Sequence, residues 1–243
     1  MEGPDAPALE TAQPLVFVDD LGTPRLSDVD RHHLERVLRV RAGEPITVSD
    51  GNGSWRDCLF GSVIVPRGEP VWVPRPMPTL TVGFAIPKGD RAEWAVQKLT
   101  EVGVDRIVLL HADRSVVRWD AERAERHVER LRRVAREAAM QSRRCWLPQV
   151  NGPVEVVHAA PPGTAARCEL GGSAPTLEHA VLLVGPEGGW SDGERAGVVH
   201  TVALGPHVLR VETAAFCAGA LLTALRSGLV AQTPIVANDA VRG

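Results

Sequence analysis

The amino-acid sequence predicts an α/β protein in two parts, a small all-β barrel followed by a mostly parallel sheet covered by helices. Three observations carry that reading. Before residue 74 the only regular-looking segments are short β-like runs separated by turn signals. The prolines of Val73-Pro74-Arg75-Pro76-Met77-Pro78 forbid a helix and favour an extended connector. Beyond them strand-like and helix-like segments alternate, as they do when helices cross over between parallel strands. The chain has 243 residues, enough for both parts and a sizeable core. The expected organisation is a loose tail over residues 1–13, the barrel over 14–73, the linker over 74–78 and the α/β domain over 79–243.

The elements follow in order. Leu15 to Val18, Ile46 to Ser49 and Trp55 to Val65 read as barrel strands, with Asp50-Gly51-Asn52-Gly53 as a turn. Leu80 to Ile86 opens the second part as a strand. A helix from about Asp90 places Ala92, Ala95, Val96, Leu99 and Val102 on one face, with Asp90 and Glu93 spaced as a capping pair and Gly103 as the stop. Arg106 to Leu110 is the next strand. A long helix over Ala121 to Ser142 carries an apolar stripe of Ala124, Val128, Leu131, Ala135 and Ala138. Strands are expected at Trp146 to Val150, Ala165 to Leu170, Val181 to Val184 and Thr201 to Leu204. The last helix, Thr213 to Arg226, is apolar nearly all round and therefore expected to be buried.

Composition narrows the function classes. Cys58, Cys145, Cys168 and Cys217 form no CxxC pair and no Cys/His cluster, so neither a disulfide framework nor a metal site is expected and a cytoplasmic setting fits. The first thirteen residues are acidic and Pro/Ala-rich, unlike a signal peptide. The longest apolar stretch, Ala214 to Leu222, is too short to span a membrane. A net charge of -3 leaves room for a local basic face that binds nucleic acid.

Two segments carry the chemistry. Val181-Leu182-Leu183-Val184 runs into Gly185-Pro186-Glu187-Gly188-Gly189, and glycines at a strand end let a ligand approach the backbone closely. The same residues also suit a plain tight turn. They are neither a P-loop nor GxGxxG. Gly189-Trp190-Ser191-Asp192-Gly193 imitates the GxSxG elbow of hydrolases, but Ser191 lies well past the strand end and is better read, with Glu194, as a capping box. The second segment is Leu204-Gly205-Pro206-His207-Val208-Leu209-Arg210-Val211-Glu212-Thr213-Ala214. Arg210 and Glu212 beside so apolar a helix must be paired, with each other or with a neighbour, or bind something.

Together these segments resemble the C-terminal half of the SPOUT methyltransferases, whose deep trefoil knot forms the cofactor pocket. Within that superfamily they are most similar to the ribosomal RNA small-subunit methyltransferases that modify uridine at N3. Pro87-Lys88-Gly89-Asp90, Gln97 to Val104, Arg114-Ser115-Val116-Val117 and Ala135 to Arg144 agree with the family, and so does His32 to Val40 with its PUA-like RNA-binding barrel. Met140 departs from the expected polar residue, and 153–177 reads as a variable connector. The resemblance implies that Leu183, Val184, Gly185, Pro186, Glu187, Gly188, Leu204, Gly205, Leu209, Arg210, Thr213 and Ala214 hold S-adenosylmethionine. A side chain at Gly188 or Gly205, or a larger one at Ala214, would intrude on the ligand or on the crossing chain.

The implied substrate is a uridine of 16S ribosomal RNA within an assembled or nearly assembled small subunit, acted on by a homodimer that needs no metal and no membrane. N3 is a weakly acidic group on the pairing edge, so the base must be unpaired and its negative charge stabilised. Arg114 and Arg210 are the candidate stabilisers, with Glu212 as proton acceptor or as the group orienting Arg210. The candidate RNA contacts are Arg31, His33, Arg36, Arg39, Arg41, Lys88, Arg143 and Arg144. The Arg123, Arg126, Arg130 and Arg133 stripe reads equally as a self-paired helix face, since Glu122 and Glu129 stand four residues before Arg126 and Arg133. Two alternatives stay open: another SPOUT enzyme acting on transfer RNA or a ribose 2′-hydroxyl, and an RNA-binding assembly factor without catalysis.

Overall fold

The computed structural model describes residues 13–231; most of the expected tail and the last twelve residues of the chain lie outside that range. The N-terminal unit is a four-stranded sheet in the order β1-β2-β3-β4, made of β1 (Leu15–Phe17), β2 (Pro45–Ser49), β3 (Ser54–Leu59) and β4 (Val65–Trp72). β1 lies parallel to β2 and the others are antiparallel. Helix α1 (Asp28–His32) and a π-helical turn (His33–Val37) cross between β1 and β2. Among the described residues β1 and β4 do not pair with each other, so the expected barrel is observed as a sheet with two edges. The single run expected over Trp55 to Val65 is two strands joined by a turn. Pro66, Gly68 and Pro70 disguise the second, and an edge strand tolerates prolines because it leaves one row of amides unpaired.

The second unit is an all-parallel sheet in the order β10-β8-β9-β5-β6-β7. Its strands are β5 (Thr81–Ala85), β6 (Arg106–His111), β7 (Gln149–Glu155), β8 (Ala165–Ser173), β9 (Val181–Val184) and β10 (His200–Val202). Helices α2 (Arg91–Val102), α3 (Ala121–Gln141), α4 (Asp192–Gly197) and α5 (Val211–Arg226) cover it. Strand residues alternate between two cores, as the period of two requires. Val82, Phe84, Ile107, Leu109, Leu182 and Val184 pack under α2, α3 and α5, whereas Ala85, Val108, Leu110 and Leu183 join Trp190 and Val198 on the other face. The expected stripes of α2 and α3 are the buried ones. Gly103 ends α2 in the left-handed region at φ 103°.

Two local expectations fail for tertiary reasons. Asp90 stands at the N-cap of α2, where its carbonyl accepts from the Glu93 and Trp94 amides but its carboxylate makes no cap bond, and Glu93 pairs instead with Arg130 at 2.9 Å. The strand expected over Trp146 to Val150 begins only at Gln149. Trp146 is taken up by the N-terminal sheet: it bridges Asn52, donates its indole N–H to the Val73 carbonyl at 3.0 Å and lies under the Arg75 guanidinium.

That docking is extensive. Arg136 of α3 donates to both carboxylate oxygens of buried Asp30, at 2.8 and 2.9 Å, and to the Phe17 carbonyl. Leu15, Phe17 and Ala139 close a small core between β1 and α3. None of the described helices is long and apolar enough to cross a membrane.

Candidate active site

The chain moves inward across the sheet from β8 to β9 and then outward from β9 to β10. Parallel sheets bind ligands beyond the carboxyl ends of strands at such reversals. A cavity of about 410 Å³ lies there, walled by the ends of β8 and β9, the loops 185–190 and 204–209, and the first turn of α5. That volume is within the range of small-molecule sites.

The two loops owe their shape to different causes. Gly185 lies against the indole of Trp190: a Cβ at 185 would come within 2.8 Å of the ring. Trp190 is itself buried, its N–H aimed at the Cys168 carbonyl at 3.4 Å. Directly after it, Ser191 and Glu194 form the predicted capping box that starts α4, and the Glu194 carboxylate also accepts from the Asp113 amide at 2.9 Å. The loop is thus clamped at its far end. In the other loop Gly205 has φ 151°, with open space where a side chain would stand. The amides of Leu204, Gly205, His207, Val208 and Leu209 donate to no partner among the described residues, so this wall offers unused backbone donors to a ligand. Ala214 supplies a small apolar wall on α5.

Of the predicted cofactor residues, Val184, Gly185, Pro186, Glu187, Leu204, Gly205, Leu209 and Ala214 line the cavity. Leu183 does not, because strand alternation turns it into the opposite core, where it fills the space above Gly83. Gly188 instead meets Arg114: a Cβ there would lie 3.0 Å from that of Arg114, whose guanidinium donates to the Gly188 carbonyl at 3.3 Å. Thr213 faces a separate hollow with Arg91, Trp94 and Glu212. Arg210 is the exposed N-cap of α5, beside the cavity rather than within it.

The Glu212 assignment is corrected. Its carboxylate stands 3.6 Å from the Arg91 guanidinium and does not orient Arg210; one oxygen is buried without a hydrogen-bond partner. It therefore faces α2 and does not line the cavity.

The RNA set divides in the same way. Arg36, Arg39, Arg41 and Lys88 are exposed, and His33 and Arg143 are half-buried. Arg31 is tied down, donating to the Gly61 carbonyl at 2.8 Å and facing the Phe60 ring. Arg144 is not an RNA contact: it donates to the carbonyls of Thr100 and Val104 at 2.7 and 2.9 Å and faces Asp105, which Arg226 also grips. Burial pulls its pKa down to about 10 despite Asp105, which still leaves it charged at neutral pH.

Sequence reasoning missed the β8 wall: Cys168, Glu169 and Leu170 line the cavity from what reads as a variable connector, and Arg195 and His207 join them. Burial pushes the Cys168 thiol up to about 12, so it is neutral. Burial opposes ionisation of Glu169, yet hydrogen bonds from Arg195 and Arg167 outweigh it and hold the carboxyl below its ordinary range. The rule placing ligands at carboxyl ends of parallel strands, applied to the strand expected over Ala165 to Leu170, is the signal that could have found them.

With this geometry in view, the comparisons are consistent. Residues 74–223 match the family described as an RNA methyltransferase domain. The chain is 34% identical over 229 residues to a Mycobacterium bovis protein named ribosomal RNA small subunit methyltransferase E, covering 83% of this chain and 87% of that one. A Bacillus subtilis protein of the same name is 28% identical over 225 residues, covering 81% and 88%. Among solved structures, a ribosomal RNA small subunit methyltransferase E from Neisseria gonorrhoeae bound to S-adenosyl methionine superposes with TM-score 0.70 at 27% identity, covering 88% of this chain and 98% of that one. A Legionella pneumophila protein solved with bound SAM gives 0.74 at 26%, with the same coverage.

Proposed function

The chain belongs to the family of ribosomal RNA small subunit methyltransferase E, and from that premise we propose that it methylates N3 of a uridine in 16S ribosomal RNA, with S-adenosylmethionine as methyl donor. The observation that carries the reading is the cavity beyond β8 and β9, with its unused loop amides and its wall at Ala214. The residues fit the donor. Adenine presents both donors and acceptors, which backbone groups of 204–209 can meet, and Gly205 leaves the entrance clear. The bound donor supplies a methyl group activated by a sulfonium.

The chain's own groups do the rest. Loss of the N3 proton leaves negative charge on uracil, and cations aimed at that charge lower the barrier. Arg114, held at the Gly188 carbonyl, and Arg210, at the head of α5, flank the cavity. Glu212 has no part in this step. Arg36, Arg39, Arg41, Lys88 and Arg143 supply phosphate contacts, the first three from the N-terminal unit, which acts as the PUA-like RNA-binding domain. The finer topology proposed is a trefoil knot, in which the segment leading into α5 passes the 185–190 loop to complete the pocket.

The protein works as a cytoplasmic homodimer on the small subunit. Trp94, 42% exposed and set edge-on against Phe216, and the 85% exposed Val208 offer the apolar surface that pairing requires. Incubation with labelled donor and small subunits from a methylation-deficient strain, followed by mapping of the modified base, tests the whole reading. Label at uracil N3 of 16S RNA is expected. Label on transfer RNA or a ribose hydroxyl would replace the substrate, and failure to bind the donor would replace the enzyme with an assembly factor.

A further inference from the structure

The carboxyl rim of the six-stranded sheet carries a second cavity that methyl transfer leaves unused. It measures about 270 Å³ and lies beyond the ends of β5 and β6, among Lys88, Asp90, Trp119, Arg123, His127 and Arg130. Trp119, 8% exposed, belongs to the main core, and its amide donates to His111 Nε2 at 3.3 Å. The indole therefore cannot swing. The His127 ring lies flat on it, centroids 4.3 Å apart and planes within 12°. The result is a fixed aromatic platform on the wall of a pocket.

Positive charge surrounds the platform. Lys88 and Arg123 make no ion pair among the described residues, whereas Arg130 is held by Glu93 at 2.9 Å. Asp90 is the remaining carboxylate on the wall, so the unpaired cations exceed the unpaired anions. Cations beside a stacking surface match a nucleotide, whose base has a π-face and whose phosphate is anionic. A bare anion would leave the platform idle. An apolar peptide would bury unpaired charge.

Location decides which nucleotide. β9 and β5 are neighbours in the sheet, so this cavity sits about two strand spacings from the methyl-transfer cavity, on the order of 10 Å along the same rim. One segment touches both: Arg114 donates to the Gly188 carbonyl of the loop that walls the first cavity, and Trp119, five residues on, lines the second. We propose that the second cavity binds a nucleotide of the single-stranded RNA flanking the methylated base, its base stacked on His127 and its phosphate held by Lys88 and Arg123. This rests on the RNA methyltransferase reading.

The test uses the full chain as wild type, His127→Ala, His127→Phe and Arg123→Gln. Turnover is measured on unmodified small subunits, and binding of a short uridine-bearing RNA oligonucleotide is followed by anisotropy over a range of salt. His127→Ala is expected to raise KM for RNA about tenfold, the loss of one stacking contact, with kcat and donor affinity within about twofold of wild type. His127→Phe keeps a platform and recovers most of the loss, which a merely structural histidine would not require. Arg123→Gln, on an exposed helix position where folding is not at stake, weakens binding and flattens the salt slope by about 0.7. Wild-type KM, oligonucleotide affinity and salt slope in both His127→Ala and Arg123→Gln would overturn the proposal. Absence of RNA methylation by the wild type would sink the functional reading instead, while the oligonucleotide measurements would still decide the cavity.

Discussion

Gly185→Ala drives a methyl group into Trp190. The added carbon would sit 2.8, 3.0 and 3.1 Å from three ring atoms, where carbon atoms prefer about 3.5 to 4.0 Å. The shortfall is therefore about 0.7 Å at the nearest atom. The indole cannot absorb it by swinging outward: it is 3% exposed, packs among Leu183, Ala85 and Val198, and is followed at once by the Ser191 cap of α4. Relief must come from the 185–190 loop, which walls the cavity proposed to hold the donor.

Overpacking of this kind costs about 1 to 3 kcal/mol, which for a chain of this size lowers Tm by roughly 5 °C. The shifted wall should weaken donor binding about tenfold, since displacements near 1 Å cost up to about a hundredfold in a preorganised site. Thermal unfolding and calorimetric titration with S-adenosylmethionine read the two effects. Trp190→Phe removes much of the obstructing ring at the cost of a void, so the double variant should be less destabilised than the two single changes summed, by about 1 kcal/mol. Wild-type melting and affinity in Gly185→Ala, or strict additivity in the double variant, would refute the steric account.

Four further variants test the same structure. Arg136→Ala strands the buried Asp30 carboxylate and should lower stability by about 3 kcal/mol at pH 7 in chemical denaturation. Burial alone would raise the Asp30 pKa, but the bonds from Arg136 and Ser27 hold it below its model-compound value of 3.8. A depressed carboxyl pKa contributes stability above that value and loses it as pH falls through the folded pKa, so the gap between wild type and Arg136→Ala should shrink below about pH 4; a constant gap would contradict the pairing. Arg144→Met should cost about 3 kcal/mol and leave RNA affinity of the folded protein unchanged, whereas Arg39→Gln should leave the melting curve in place and flatten the salt dependence of RNA binding by about one phosphate contact. Arg210→Ala should lower kcat about a hundredfold in single-turnover assays while the protein melts normally, and normal turnover would remove Arg210 from the reaction.

Much of this architecture was legible because local rules and tertiary packing agree. The stripes of α2 and α3, the stop at Gly103 and the capping box at Ser191 all depend on neighbours a few residues away. The glycine loop and the segment leading to Ala214 were legible as a pocket only as a pair. The residues misread share one property: their partners are distant in sequence. Arg144 has the composition of an RNA contact, but the carbonyls it satisfies belong to Thr100 and Val104. Glu212 sits two residues from Arg210, yet helix geometry turns it toward Arg91 on α2. Leu183 has the spacing of a pocket residue and the parity of the opposite core. Cys168 to Leu170 lie in a weakly patterned stretch and matter through where β8 ends.

Helix α3 connects the two halves of the proposed activity. Its central residues, Val128, Leu131 and Ala135, belong to the core beneath the cofactor domain. Its first turns carry Arg123 and His127 to the rim of the sheet, and its last turns carry Arg136 and Ala139 into the N-terminal sheet. Just past its end, Cys145 accepts from the Gly53 amide and Leu147 donates to the Gly51 carbonyl, each at about 3 Å. An RNA-binding sheet on a flexible tether would raise local concentration and leave the target base to find the cavity. A sheet bolted through buried Asp30 to the helix that also forms the cavity rim fixes a distance as well. On the proposed reading, RNA held at Arg36, Arg39 and Arg41 would be presented to the methyl donor in one register, and base selection would depend on the rigidity of α3 as well as on contacts to the base. Loosening the Asp30–Arg136 pair should accordingly blur which uridine is modified before it abolishes modification.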